Sequence, residues 1–195
     1  MEHAQLLIVD DDRLILHTLS TGLRGAGYRT VEADSGEEAI RIVHTLPIDL
    51  AIIDVRMQGM SGLELAAYLR THTATPCIFL SAYGDSGIVE QAVLEGALGY
   101  LVKPIDVPNI LPSIATALAR AKELAGLKET KAQLDAAVNQ RRDISIAVGL
   151  LMEHYGLGKE QAFDMLRKAA RKARRKLHEL AAELVSGKAE IGKIS

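Results

Sequence analysis

Four short apolar runs in this chain end on side chains suited to handling a metal ion and a phosphoryl group. Leu50 to Ile53 runs into Asp54, and Leu6 to Val9 runs into Asp10, Asp11 and Asp12. Cys77 to Leu80 ends on the hydroxyl of Ser81, and Tyr100 to Val102 ends on Lys103 and Pro104. Apolar runs of this length, bounded by turn residues, predict strands buried on both faces of a parallel sheet. Ligands bind such sheets at the carboxyl ends of the strands. Carboxylates, a hydroxyl and an ammonium therefore converge on one rim. Hard carboxylate oxygens suit Mg2+, and the ammonium and hydroxyl suit phosphoryl oxygens.

The segments between these runs must be helices that lay the strands side by side. Leu14, Leu16, Leu19 and Leu23 form the apolar set of a first helix, which stops near Gly25 to Gly27. Tyr28 to Glu32 reads as a further strand. Ser35 is placed to cap a second helix with Glu37 and Glu38 in its first turn. Ser61 or Gly62 opens a third helix, Leu63 to Arg70, and Pro76 starts the strand that ends at Ser81. Tyr83 to Gly87 reads as a loop leading into a helix that runs to about Glu95. This alternation predicts an α/β domain with a doubly wound parallel sheet.

In order and spacing, Asp10-Asp11, Asp54, Ser81-Ala82 and Lys103-Pro104 resemble the receiver domain of two-component response regulators, over roughly residues 4 to 120. The resemblance implies a flavodoxin-like order for five parallel strands. It implies that Asp54 is the phosphoacceptor. It also implies that Asp11, Asp54 and the backbone carbonyl of Arg56 ligate Mg2+, with Asp10 acting through water. Lys103 and Ser81 would hold the phosphoryl group, and Lys103-Pro104 would be a cis peptide. Tyr100 matches the aromatic that reorients on activation, with a fixed packing role as the alternative. Asp12 reads as a surface charge beside the pair, and Gln58 replaces a proline common in this loop.

Charge divides the 195 residues into two parts. Residues 1 to 120 hold 8 Lys+Arg against 15 Asp+Glu, and residues 121 to 195 hold 15 against 10. An acidic front and a basic back predict two modules, the second facing a polyanion. No apolar run approaches the ~18 residues of a membrane span, and the amino terminus has no secretory pattern. The lone Cys77 fits a reducing cytoplasm and a buried position. The six histidines lack metal-ligand spacing, and His154 reads as a partly buried helix-end residue or a base-stacking one.

From Val107 to Gln140 only Gly126 interrupts a helix-forming composition. Leu124, Leu127, Leu134 and Val138 follow 3-4 spacing if Lys131 fills the gap, a candidate coiled-coil seam. A solvated linker helix is the alternative. Arg141 to Tyr155 reads as another helix, ended by Gly156-Leu157-Gly158. By period alone, Lys159 to Val185 is one helix, followed by a frayed tail after Ser186-Gly187.

Ala147, Gly149, Met152, Tyr155-Gly156, Glu160, Ala162-Phe163, Leu166-Arg167 and Arg175-Lys176-Leu177 resemble the ANTAR domain, over about residues 137 to 187. That family is a three-helix RNA-binding module of transcription antitermination regulators. The resemblance implies a turn near Arg171 to Arg174, against the unbroken period. Two departures are Val148, where the family usually has Lys, and Arg174, where it usually has Asn. Arg167, Lys168, Arg171, Lys172, Arg174, Arg175 and Lys176 form a candidate phosphate-binding face. Phe163 is expected in the core, which leaves no broad stacking platform.

Together these readings predict residues 1–120 as receiver, 121–139 as helical linker, 140–187 as a small all-α output domain and 188–195 as tail. The expected function is phosphorylation-controlled binding of RNA hairpins in leader transcripts, with a sensor histidine kinase as phosphodonor and a homodimer as the activated form. The alternatives are a DNA-binding output and a protein-interaction output. An enzymatic output is not expected, because residues 121 to 195 show no cluster of nucleophile, base or metal ligands.

Overall fold

The computed structural model describes residues 4–82 and 95–193. It divides into two compact units, Met1–Ala125 and Gly126–Ser195. The first holds β1 (Gln5–Val9), α1 (Arg13–Gly25), β2 (Arg29–Ala33), α2 (Gly36–Thr45), β3 (Leu50–Asp54), α3 (Gly62–His72), β4 (Cys77–Ala82) and β5 (Gly99–Lys103). The strands pair in parallel in the order β2-β1-β3-β4-β5, the flavodoxin-like arrangement. The helix expected up to about Glu95 falls on residues 83–94, outside the described residues.

Strand alternation assigns each apolar residue to one of two cores. Leu7, Val9, Ala51, Ile53 and Phe79 face α2 and α3, against Ala39, Leu65 and Leu69. Leu6, Ile8, Leu50, Ile52, Ile78 and Leu80 face α1 and the start of α4 (Val107–Tyr155), against Leu16, Leu19, Ile110 and Ile114. Because both faces are covered, β3 and β4 carry no polar residue until their carboxyl ends. Cys77 is buried as expected, and its thiol is pushed up to about 12 by burial and by the charge of Glu95.

Helix starts aim the loops that carry the rim. Asp12 is exposed, as expected, and is also a cap: its carboxylate accepts from Leu14 N (2.8 Å) and Ile15 N (3.4 Å) at the start of α1. Ser61 caps α3 in a capping box with Glu64. Ser35 sits at the N-cap of α2 without a side-chain cap bond. Gly62 is required by proximity, since a Cβ there would collide with the carbonyl oxygen of Asp54.

In the second unit, the end of α4 packs with α5 (Lys159–Lys172) and α6 (Leu177–Val185). The core is Ala147, Val148, Leu151, Ala162, Leu166, Ala170, Leu180, Ala181 and Leu184. The turn implied by resemblance is present, ahead of α6, so the unbroken period misled. Three other expectations are corrected. Arg141–Tyr155 is not a separate helix but the last part of the 49-residue α4, because no Gly or Pro stands between Gly126 and Gly149 to break the helix at Gln140–Arg141. The tail does not fray at Gly187: Ala189 and Ile191 pack on the core, and the Tyr155 hydroxyl donates to Ile191 O at 2.9 Å. Phe163 is not core; it is 37% exposed.

Gly62→Ala tests the close approach of α3 to β3. Overpacking of this kind costs about 1–3 kcal/mol. The expected outcome in urea titration is a lower midpoint at unchanged slope.

Candidate functional site

Strand register brings the chemistry together. Val9 is paired with Ile53 and Asp54 with Leu80, so Asp10 and Asp54 leave adjacent strands at the same rim. Ser81 is opposite Val102, and Ala82 is opposite Lys103. Carboxylate oxygens of Asp10, Asp11 and Asp54 all lie within 4.8 Å of one another. Asp10 and Asp54 are buried and Asp11 is exposed. The Lys103 ammonium reaches between the buried pair, 2.6 Å from Asp10 Oδ2 and 3.2 Å from Asp54 Oδ2. The Lys103-Pro104 peptide is cis.

Backbone groups complete the rim. Gln58 N donates to Asp11 Oδ2 at 3.1 Å, and Asp12 N donates to Asp10 Oδ1 at 3.0 Å. Ser81 is buried at the end of β4. Tyr100 is half-buried on the α2/α3 face of the sheet, opposite Phe79.

The electrostatics follow from this packing. Burial raises the Asp54 carboxyl above the ordinary carboxylate value; Lys103 opposes the shift, Asp10 adds to it, and an Arg56 backbone bond opposes it. Burial alone would lower Lys103, but its bond to Asp10 and the charges of Asp10 and Asp54 outweigh that and raise it. Lys103 is thus held ionised between two carboxylates, the more deeply buried of which takes its shorter bond. The linkage has a definite sign. The raised Asp54 makes stability fall as pH climbs from the ordinary carboxylate value through the folded-state value. The raised Lys103 contributes stability that is lost only as pH climbs through its own folded-state value.

All seven predicted basic residues are exposed, but they are not equivalent. Arg175 makes a two-pronged ion pair with Glu183 at 2.6 and 2.7 Å. That pair raises Arg175 and lowers Glu183. Arg167 pairs with Asp164 at 2.7 Å. The partner of Arg175 follows it by eight residues, across a helix boundary, where no local spacing rule points. His154 ends α4, exposed, with its ring edge-on to Tyr155.

Arg174 has φ 53°, the left-handed region. Arg174 N donates to Arg171 O and Arg175 N to Ala170 O, so Arg174 is the residue just past the cap in a Schellman closure of α5. Helices α1, α4 and α6 close with Gly27, Gly156 and Gly187 at positive φ. An arginine in that backbone conformation costs about 1 kcal/mol or more relative to glycine.

Comparison with known proteins covers both units. Residues 6–115 match the response regulator receiver domain, and residues 132–185 match the ANTAR domain. The transcriptional regulatory protein PdtaR of Mycobacterium tuberculosis is 33% identical over 167 residues, 85% of this chain and 82% of that protein. The heme response regulator HssR of Staphylococcus haemolyticus is 39% identical over 114 residues, 58% of this chain and 51% of its own length. A receiver domain structure from Clostridium thermocellum superposes with a TM-score of 0.58 at 30% identity, covering 62% of this chain and 98% of that one. No described helix is long and apolar enough to cross a membrane. The chain belongs to the response regulators, and within them to those that join a receiver domain to an ANTAR domain.

Proposed function

We propose that this response regulator takes a phosphoryl group on Asp54 and in that state binds hairpins in leader transcripts, controlling transcription termination in the cytoplasm. The observation that carries the reading is the joining, in one chain, of a carboxylate–lysine rim to an exposed basic helix and turn. A carboxylate oxygen of Asp54 attacks phosphorus, the N–P bond of a kinase phosphohistidine breaks, and an acyl phosphate forms. Such transfers need positioning and charge neutralisation more than acid–base groups. Lys103 and Ser81 hold phosphoryl oxygens, and Tyr100 responds to the change at Ser81.

The donor set fits Mg2+: all hard oxygens, clustered on one rim. Asp11, Asp54 and the carbonyl of Arg56 would hold the ion, with Asp10 acting through water. Bound there, it supplies charge neutralisation to the three carboxylates and to the entering phosphate.

On the output side, Lys168, Arg171, Lys172, Arg174 and Lys176 face the RNA phosphates. Arg174 supports this most directly, because its backbone gives up stability that glycine would provide and presents a guanidinium at the turn. Residues 121–139 serve as a pairing segment. Leu124, Leu127, Leu134 and Val138 are 48–65% exposed. A helix without a packed face is marginal in water, so a second copy along this seam stabilises both. Pairing two output domains also raises avidity for an RNA with two hairpins.

Four outcomes test the reading. Asp54→Asn abolishes acid-labile phosphate incorporation. It also raises the metal-free melting temperature at pH 7 and removes the stabilisation by Mg2+, which for the wild type is about 2.7 kcal/mol at 100 times the dissociation constant. Arg174→Gly melts higher than wild type, yet its RNA salt-dependence slope drops by about 0.7 to 0.9. Displacement of structured leader RNA by duplex DNA at equal salt would replace the RNA reading with a DNA one. Sedimentation with a phosphoryl mimic on Asp54 shows dimers, which Leu134→Lys with Val138→Lys abolishes as RNA affinity falls.

A further inference from the structure

Phe163, expected in the core, stands beside an open groove of about 850 Å3 between the end of α4 and α5. Ile144, Val148 and Met152 form the α4 wall, and Phe163 is the aromatic of the opposite wall. Gly149 lies between them, exposed in mid-helix, and a Cβ built on it would meet nothing within 4 Å. Neither positive φ nor close packing calls for glycine there, and glycine is a poor helix former. Its effect is to leave the groove open in front of Phe163.

The rim is charged in a regular way. Lys159, Phe163 and Arg167 are spaced four residues apart along α5, so an aromatic ring stands between two cations on one row. Glu160 and Asp164 form the adjoining row and also line the groove. Asp164 is oriented by its 2.7 Å pair with Arg167. A flat apolar face, flanking cations and neighbouring carboxylates together match a nucleotide. The base stacks on Phe163 between the two flanking cations, and its amino edge donates to a carboxylate.

We propose that this groove takes one unpaired base from the loop of an RNA hairpin. The proposal rests on the RNA reading above and adds to it a site that reads a base, distinct from the face that meets phosphates. A base contact releases no counterions, so it must leave the salt slope unchanged.

The test uses the full-length phosphorylated protein and a stem–loop RNA chosen by its binding to wild type. Loop nucleotides are replaced one at a time by abasic sites. One position is expected to weaken binding about tenfold or more. Gly149→Leu, which fills the groove, and Phe163→Ala weaken the intact RNA by a similar factor at unchanged slope, and neither weakens the abasic RNA further. Gly149→Ala, which leaves most of the groove open, binds as wild type, and melting curves confirm that each variant folds. Wild-type affinity in both Gly149→Leu and Phe163→Ala would overturn the proposal while leaving the RNA reading intact. A loss of self-association without a loss of RNA binding would overturn it in favour of a second copy as occupant. Failure of wild type to bind any stem–loop would overturn both the proposal and the RNA reading.

Discussion

Three carboxylates within 4.8 Å of one another repel, and the receiver unit is assembled so that they cannot move apart. Asp10 and Asp54 terminate neighbouring central strands whose apolar residues are locked into cores on both faces. Shifting either strand by one residue would turn its apolar set to the wrong face. The repulsion is therefore held in place by the hydrophobic energy of the sheet. Lys103 relieves part of it from the edge strand. Burial, and after it the charge of Asp10, leave Asp54 with a preference for a proton, which its raised carboxyl expresses. A clustering of negative charge is, in this sense, built by the fold.

The second unit solves a different problem. Four of the nine residues in its buried core are alanines, so three helices approach closely with little apolar bulk. That economy leaves larger groups outside. Phe163 and the arginines of α5 are displayed because the core has no room that needs them. A strong tie across the turn, Arg175 to Glu183, uses a cation that would otherwise join the display.

Much of the receiver was readable from the chain because parallel buried strands announce themselves twice, as an apolar run and as an abrupt polar stop. That stop places Asp54, Ser81 and Lys103 at the ends of their strands, where they stand in the structure. Asp12 is the exposed charge expected beside the acidic pair, and its second role follows from position, since an Asp just ahead of a periodic apolar helix is a capping signal. Phe163 was misplaced because helical period assigns a residue to a stripe, and the stripe's width is set by how thick the opposing helices are. Alanine-lined helices make a narrow core. The ordered tail was missed because Tyr155 and Ile191, thirty-six residues apart, share no local pattern. The turn at Arg174 was invisible to composition, since arginine is an unusual residue at positive φ, and only the resemblance carried it.

Cys77 offers a practical opening. Its thiol is buried at the start of β4 and pushed up to about 12, so at neutral pH on the order of one molecule in 100,000 carries the reactive thiolate. The natural chain is thus nearly silent to maleimides, disulfide exchange and mild oxidants while folded. A single cysteine introduced at any exposed position would react as though it were the sole thiol in the molecule. Spin labels, fluorophores and cross-linkers can be placed on α4 or α6 without first deleting the native residue. Labelling of Cys77 itself then becomes a clock for opening of the receiver core.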